Sequence, residues 1–189
     1  MCHLSLGHQV IGFSRRRRNR VEQKKGLVLV EDLYQELEVW YPLLRLREAG
    51  VQVATVAPEK GKTYKSKLGY PVTSDLAADQ VFAAEWDAVI IPGGYAPDLM
   101  RRHAPMVRLV REAFEAGKVV AAICHGGWML ASANILKGRK ATCFFAIRDD
   151  LVHAGAEYLD QEVVVDENLI TSRTPDDLPA FMKAVLERI

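Results

Sequence analysis

The chain has 189 residues, 49% of them hydrophobic, and 25 Lys and Arg balance 24 Asp and Glu for a net charge of +1. This is enough chain to bury the core of one domain, and so even a charge excludes a general pull toward polyanions. Three cysteines, Cys2, Cys124 and Cys143, with no CxxC spacing, exclude a disulfide framework and any readable zinc site; no metal and no cofactor is expected. The apolar runs are strand-sized and no signal-peptide pattern opens the chain, so the expectation is a soluble cytoplasmic protein with no membrane partner.

Residues 1–25 carry Arg15-Arg16-Arg17-Arg18-Asn19-Arg20 and Lys24-Lys25. They read as a solvated, disordered basic extension whose only nucleic-acid role would be weak. From 26 to 189 strands and helices alternate as one α/β domain. Leu27–Val30 reads as a buried strand, Gln35–Ala49 as an amphipathic helix closed by Gly50, and Val51–Val56 as the next strand. Gly61–Thr73 is an excursion, and Leu76–Ala84 reads as a short helix. Ala88–Ile91 is a strand ending in Pro92-Gly93-Gly94, followed by a helix from Pro97 to Ala116. Further strands are expected at Thr142–Phe145, Glu162–Val165 and Leu169–Ser172, with a closing helix at Leu178–Ile189. The pattern predicts a doubly wound, mostly parallel sheet covered on both faces. Sites in such sheets lie at the carboxyl ends of strands, where Glu31-Asp32, Gly93-Gly94 and Cys124 all fall.

The sharpest feature is Val119–Ile123, an apolar strand that runs directly into Cys124-His125-Gly126-Gly127 and then into helix formers from Trp128. A cysteine at a strand-to-helix turn meets unpaired N–H groups and a helix dipole, which predicts a lowered thiol pKa. Glycine after the turn removes a side chain that would collide with the returning backbone. A buried cysteine is more often plain packing, but the flanking His and Gly-Gly reverse those odds.

The set Ala122-Ile123-Cys124-His125-Gly126, Pro92-Gly93-Gly94-Tyr95-Ala96-Pro97-Asp98, Tyr41-Pro42, Gly69-Tyr70 and Arg148-Asp149-Asp150 resembles the ThiJ/PfpI superfamily, in its PfpI-type branch, from Gly26 to Ile189. The resemblance implies a flavodoxin-like fold related to the class I glutamine amidotransferases, a cysteine at a nucleophile elbow, and homo-oligomers from dimer to hexamer with sites near subunit contacts. It implies Cys124 as nucleophile, His125 as its proton shuttle, and the backbone N–H groups of Gly94 and His125 as an oxyanion hole. Asp98 is either the carboxylate that orients His125 of a neighbouring subunit or a first-turn carboxylate favoured by the helix dipole. The superfamily places a glutamate near the cysteine sulfur. Counting back from Tyr41-Pro42, that position falls on Gln35, with Glu36 or Glu38 able to substitute after a register shift or else facing solvent. Phe144 stands where relatives carry an aromatic hydroxyl, and Arg173 is a substrate-contact candidate beside a helix start at Thr174-Pro175-Asp176.

His103 and His153 read as surface residues, and Cys143 as packing. Two function classes follow. One is a cysteine-dependent hydrolase or lyase acting on small carbonyls, glycated proteins or peptides; the other is a redox-sensing or chaperone-like stress protein with little turnover. A glutaminase is disfavoured, because no His-x-Glu pair follows Cys124.

Overall fold

Uninterrupted apolar segments become the centre of a seven-stranded sheet in the computed structural model, which describes residues 23–189; the basic run Arg15–Arg20 and Cys2 lie outside the described residues. The strands are β1 (Lys25–Leu29), β2 (Gln52–Ala57), β3 (Thr63–Lys65), β4 (Pro71–Thr73), β5 (Leu76–Ala77), β6 (Ala88–Ile91), β7 (Val119–Ile123), β8 (Lys140–Ala141), β9 (Glu157–Tyr158), β10 (Val163–Asp166) and β11 (Leu169–Ser172). The main sheet runs β10-β11-β7-β6-β1-β2-β5 and is parallel except for the β10–β11 hairpin at one edge. β6 and β7 are buried at every residue, as a sheet covered on both faces requires.

The helices are α1 (Glu36–Glu48), α2 (Ala96–Met100), α3 (Ala104–Glu115), α4 (Gly127–Ser132), α5 (Arg148–His153) and α6 (Leu178–Leu186). α1 and α6 pack together on one face, against β1, β2, β10 and β11, while α3 and α4 cover β6 and β7 from the other. The chain is therefore the flavodoxin-like α/β domain expected from its pattern, with β1, β6 and β7 adjacent and their carboxyl ends side by side.

Four local expectations change. β1 takes in Lys25, and Lys24 pairs with Asp87 at 3.6 Å, so the domain begins before Gly26. The helix read across Pro97–Ala116 is two helices. Pro105 lacks the N–H of an interior residue and its ring would crowd the carbonyl of Arg101, so it starts α3 anew after a turn at Arg101–His103. Leu76–Ala84 forms no α-helix: Leu76-Ala77 pair with Val56-Ala57 at the sheet edge, and 3₁₀ turns follow, so edge pairing overrides the helix propensity of the alanines. Thr142–Phe145 lies outside the sheet; only Lys140-Ala141 pair, with Glu157-Tyr158, before a 3₁₀ turn at Phe145–Ile147.

Candidate active site

Cys124 follows β7 directly and adopts φ +59°, a left-handed conformation that a non-glycine residue holds only at a cost of roughly 1–3 kcal/mol. A 3₁₀ turn at Cys124–Gly126 carries the chain into α4. Two glycines make the reversal fit. A Cβ on Gly126 would stand 2.6 Å from the carbonyl oxygen of Ile91, and one on Gly127 would stand 2.9 Å from Leu151 Cδ1. The sequence thus buries the turn under β6 and α5 while the sulfur remains at the carboxyl edge of the sheet.

The carboxylate at that sulfur comes from α1. Glu38 is fully buried, its Oε2 accepts the Gly93 N–H at 2.6 Å, and its carboxyl group interacts with the Cys124 thiol. The other oxygen, Oε1, is buried without a hydrogen bond of ordinary geometry. Gly93 is what lets these groups meet: a Cβ there would lie 2.7 Å from Cys124 Cβ, 2.7 Å from Glu38 Oε2 and 2.8 Å from His125 N. Gln35, the position reached by counting back in sequence, does not approach the sulfur. Its side chain accepts the Glu38 N–H at 3.1 Å and caps α1. Glu38 lies one turn further along α1 and faces inward, so the count was short by three residues. Glu36 turns away, accepting the Leu68 N–H at 2.9 Å.

His125 Nδ1 lies 3.2 Å from Cys124 Sγ. The ring stacks on Phe144 with centroids 5.0 Å apart and meets Trp128 edge-on at 5.1 Å. Phe144 is fixed in turn by its backbone N–H, which donates to the Cys124 carbonyl at 3.2 Å. Trp128 was not singled out from the sequence, although its place in the first turn of α4 puts it beside the elbow. The backbone N–H groups of Gly94 and His125 point at the sulfur itself. Gly94 has φ +76°, and a Cβ there would meet the Leu33 carbonyl oxygen at 2.5 Å, so this donor can be offered only by glycine.

The electrostatics differ from the expectation of a lowered thiol pKa. Burial, reinforced by the charge of Glu38, pushes the Cys124 thiol up to about 12, and burial pushes Glu38 up to about 7. α4 has six residues and begins three residues after the sulfur, so its dipole is too short and too distant to outweigh desolvation. The two groups interact, so the values belong to the pair: the first proton leaves near 7 and the second is held up to about 12. The backbone N–H groups of Gly94 and His125 work against burial, each lowering the thiol pKa. Burial, and then the charge of Lys67, lower the His125 pKa, which keeps the imidazole neutral and able to accept a proton at neutral pH.

The remaining candidates lie outside this cluster. The Asp98 carboxylate pairs with Arg102, whose hydrogen bond holds its pKa below the usual range, and it makes no hydrogen bond to His125 within the chain. Arg173 is gripped by Asp177 at 2.9 Å and Asp160 at 2.8 Å, and lines a cleft beside Phe144. Thr174 stands at the start of the following turn but makes no side-chain cap. Cys143 is a free buried thiol, so no disulfide joins it to Cys124. His103 and His153 are both exposed, and His103 Nε2 lies 3.6 Å from the buried carboxylate of Glu31. Among the described residues no group of three His, Cys, Asp or Glu could hold a metal ion, and no helix is long and apolar enough to cross a membrane.

A buried glutamate thus packs on a left-handed cysteine at the end of a parallel strand, and the sequence comparison assigns the chain that carries it to a family. Residues 24–188 match the DJ-1/PfpI family. The chain belongs to that family. It is 47% identical over 159 residues to a Thermococcus kodakarensis protein named Deglycase TK1284, covering 84% of this chain and 95% of that one. It is 46% identical over 165 residues to the Escherichia coli protein named Protein/nucleic acid deglycase 2, covering 86% and 96%. Among solved structures, a two-domain protein of Anabaena variabilis with DJ-1/ThiJ/PfpI-like and ferritin-like domains superposes with a TM-score of 0.87 at 45% identity. The match covers 88% of this chain and 48% of that one, so this chain spans about half of the two-domain protein.

Proposed function

We propose that the protein is a cysteine-dependent hydrolase or lyase acting on small reactive carbonyls, such as methylglyoxal, or on the adducts these form on proteins. The observation that carries this reading is the Cys124–Glu38 pair, a thiol and a buried carboxyl group in contact where β7 turns toward α4. Attack of the sulfur on the carbonyl carbon forms a C–S bond and moves the π electrons to oxygen. The N–H groups of Gly94 and His125, now facing the sulfur, are placed to stabilise that oxygen as it takes up charge. His125 then transfers the proton between the carbon-bound groups, and addition of water with loss of the C–S bond releases a hydroxy acid. For methylglyoxal the balance is one aldehyde plus one water giving one lactate, with the thiol regenerated. Adducts on amines or peptide acyl groups would leave through the same thiol-bound state, with the amine as leaving group. The names of the two relatives as deglycases, each at 46–47% identity over more than four-fifths of this chain, support the same reaction class.

The same reading makes the protein a homo-oligomer in the cytoplasm, with Asp98 of one copy orienting His125 of another, because His125 hydrogen-bonds only Cys124 among the described residues. The deciding assay incubates purified protein with methylglyoxal and follows lactate. Cys124→Ser is expected to lower the rate by roughly a thousandfold or more. Equal rates for the two proteins would overturn the proposal.

A further inference from the structure

The even charge of the whole chain hides a local excess. Where α2 and α3 both pack against α4, Arg101, Arg102, Arg108, Arg111 and Ser132 line a groove of about 510 Å³ that has no acidic residue in its walls. Arg101 and Arg102 come from the turn after α2, while Arg108 and Arg111 lie three residues apart on α3 and share one face of it. Four cations meet in one hollow. It lies at the opposite end of α4 from the elbow, since that helix begins at Gly127 and ends at Ser132.

Two of these guanidinium groups are anchored without being neutralised. Arg101 donates through Nε to Ser132 Oγ at 2.8 Å, and Arg111 donates through Nε to the Ala133 carbonyl at 2.8 Å, so arginines from separate elements are pinned to consecutive residues. Both partners are uncharged. Among the described residues neither guanidinium forms an ion pair, whereas Arg102 pairs with Asp98 and Arg108 lies 3.7 Å from Glu112 Oε1. Four positive charges therefore meet two carboxylates, which leaves a surplus of two. Fixing an arginine through Nε removes much of its rotamer freedom in advance and leaves its flat pair of Nη donors for a ligand.

We propose that this groove is a binding site for a phosphate monoester. Each pinned arginine offers a fork of N–H donors to a pair of phosphate oxygens, and Arg102 and Arg108 add their charge from the rim. A monoester carries about −1.5 to −2 at neutral pH, which matches the surplus. A carboxylate brings one charge and two oxygens, so one fork and one positive charge would go unanswered. The phosphodiester of a nucleic-acid backbone also carries a single charge at each phosphate and falls short in the same way. The ligand class is thus a small phosphorylated molecule, held apart from the Cys124 turn. No step at the sulfur enters into its binding, and the site stands independently of the reaction proposed above.

Calorimetry on the full chain tests the site with three probes: glycerol 3-phosphate as the monoester, dimethyl phosphate as the diester, and acetate as the carboxylate. Glycerol 3-phosphate is expected to saturate one site per chain and to bind at least about tenfold more tightly than either monoanion. Arg111→Gln keeps a donor for the Ala133 carbonyl but loses the charge and the fork, and about a tenfold loss of affinity is expected. Arg108→Gln is the second variant, because its exposed guanidinium has only Glu112 as partner and supports no core; about a threefold loss is expected. Equal binding of dimethyl phosphate or acetate would overturn the monoester assignment. Absence of saturable glycerol 3-phosphate binding, or affinity unchanged in both variants, would overturn the site itself.

Discussion

Cys124 and Cys143 are both buried thiols, and both are pushed up to about 12. For each, burial is the main cause, so burial alone does not distinguish a nucleophile from a packing residue. What differs is the company. Cys124 sits at a left-handed turn with a protonatable carboxyl group, two backbone N–H donors and an imidazole around its sulfur. Cys143 feels only the more distant charges of Asp150 and Arg148. A thiol pKa near 12 therefore describes the loss of the second proton from the Cys124–Glu38 pair, and the first departs near 7.

Alkylation tests this contrast most directly. Iodoacetamide at pH 8 should label Cys124 roughly a hundredfold faster than Cys143 in the folded protein, read by peptide mass. The Cys124 rate should climb through about pH 7, where the pair loses its first proton. In Glu38→Gln the levelling-off above pH 7 should vanish and labelling at pH 8 and above should exceed that of the unaltered protein, because the charge that raises the thiol pKa is gone. Similar rates at the two cysteines would erase the distinction.

The second expected effect is on stability. Folding raises the Glu38 pKa from 4.5 to about 7, so the protonated form is favoured in the native state. Its stabilising contribution is complete below 4.5 and is lost as pH rises through 7. Glu38→Gln keeps an acceptor for the Gly93 N–H but never becomes charged. It should therefore exceed the unaltered protein by about 3 kcal/mol in urea unfolding at pH 8, with the difference closing by pH 4. A constant difference across that range would show that Glu38 is not the titrating group.

The smallest effect separates the two residues that the sequence count confused. Gln35→Ala removes the cap of α1 and should lower stability by about 1 kcal/mol, while leaving the Cys124 labelling curve in place. A shifted curve would return Gln35 to the site.

The elbow was legible because strand, Cys-His and Gly-Gly are contiguous, so the chemistry and its steric reason sit in one nine-residue stretch. The acid partner was not, because it comes from a helix 86 residues earlier in the chain, by the numbering of Glu38 and Cys124. Which of Gln35, Glu36 and Glu38 faces the sulfur depends on where α1 starts and how it rotates against β1. The break at His103 was written in Pro105, yet the apolar period ran across it. Asp98 has a local partner in Arg102, and among the described residues no carboxylate is hydrogen-bonded to His125.

By itself, the sequence determined the parallel sheet, the turn at Cys124 and the family likeness, since periodicity, glycine sterics and adjacency are local properties of a chain. The tertiary structure alone decided the direction of the thiol pKa, the choice of Glu38, and the packing of Phe144 on His125. Burial and Coulomb interactions depend on which segments meet in space, and no spacing along the chain encodes the distance between them.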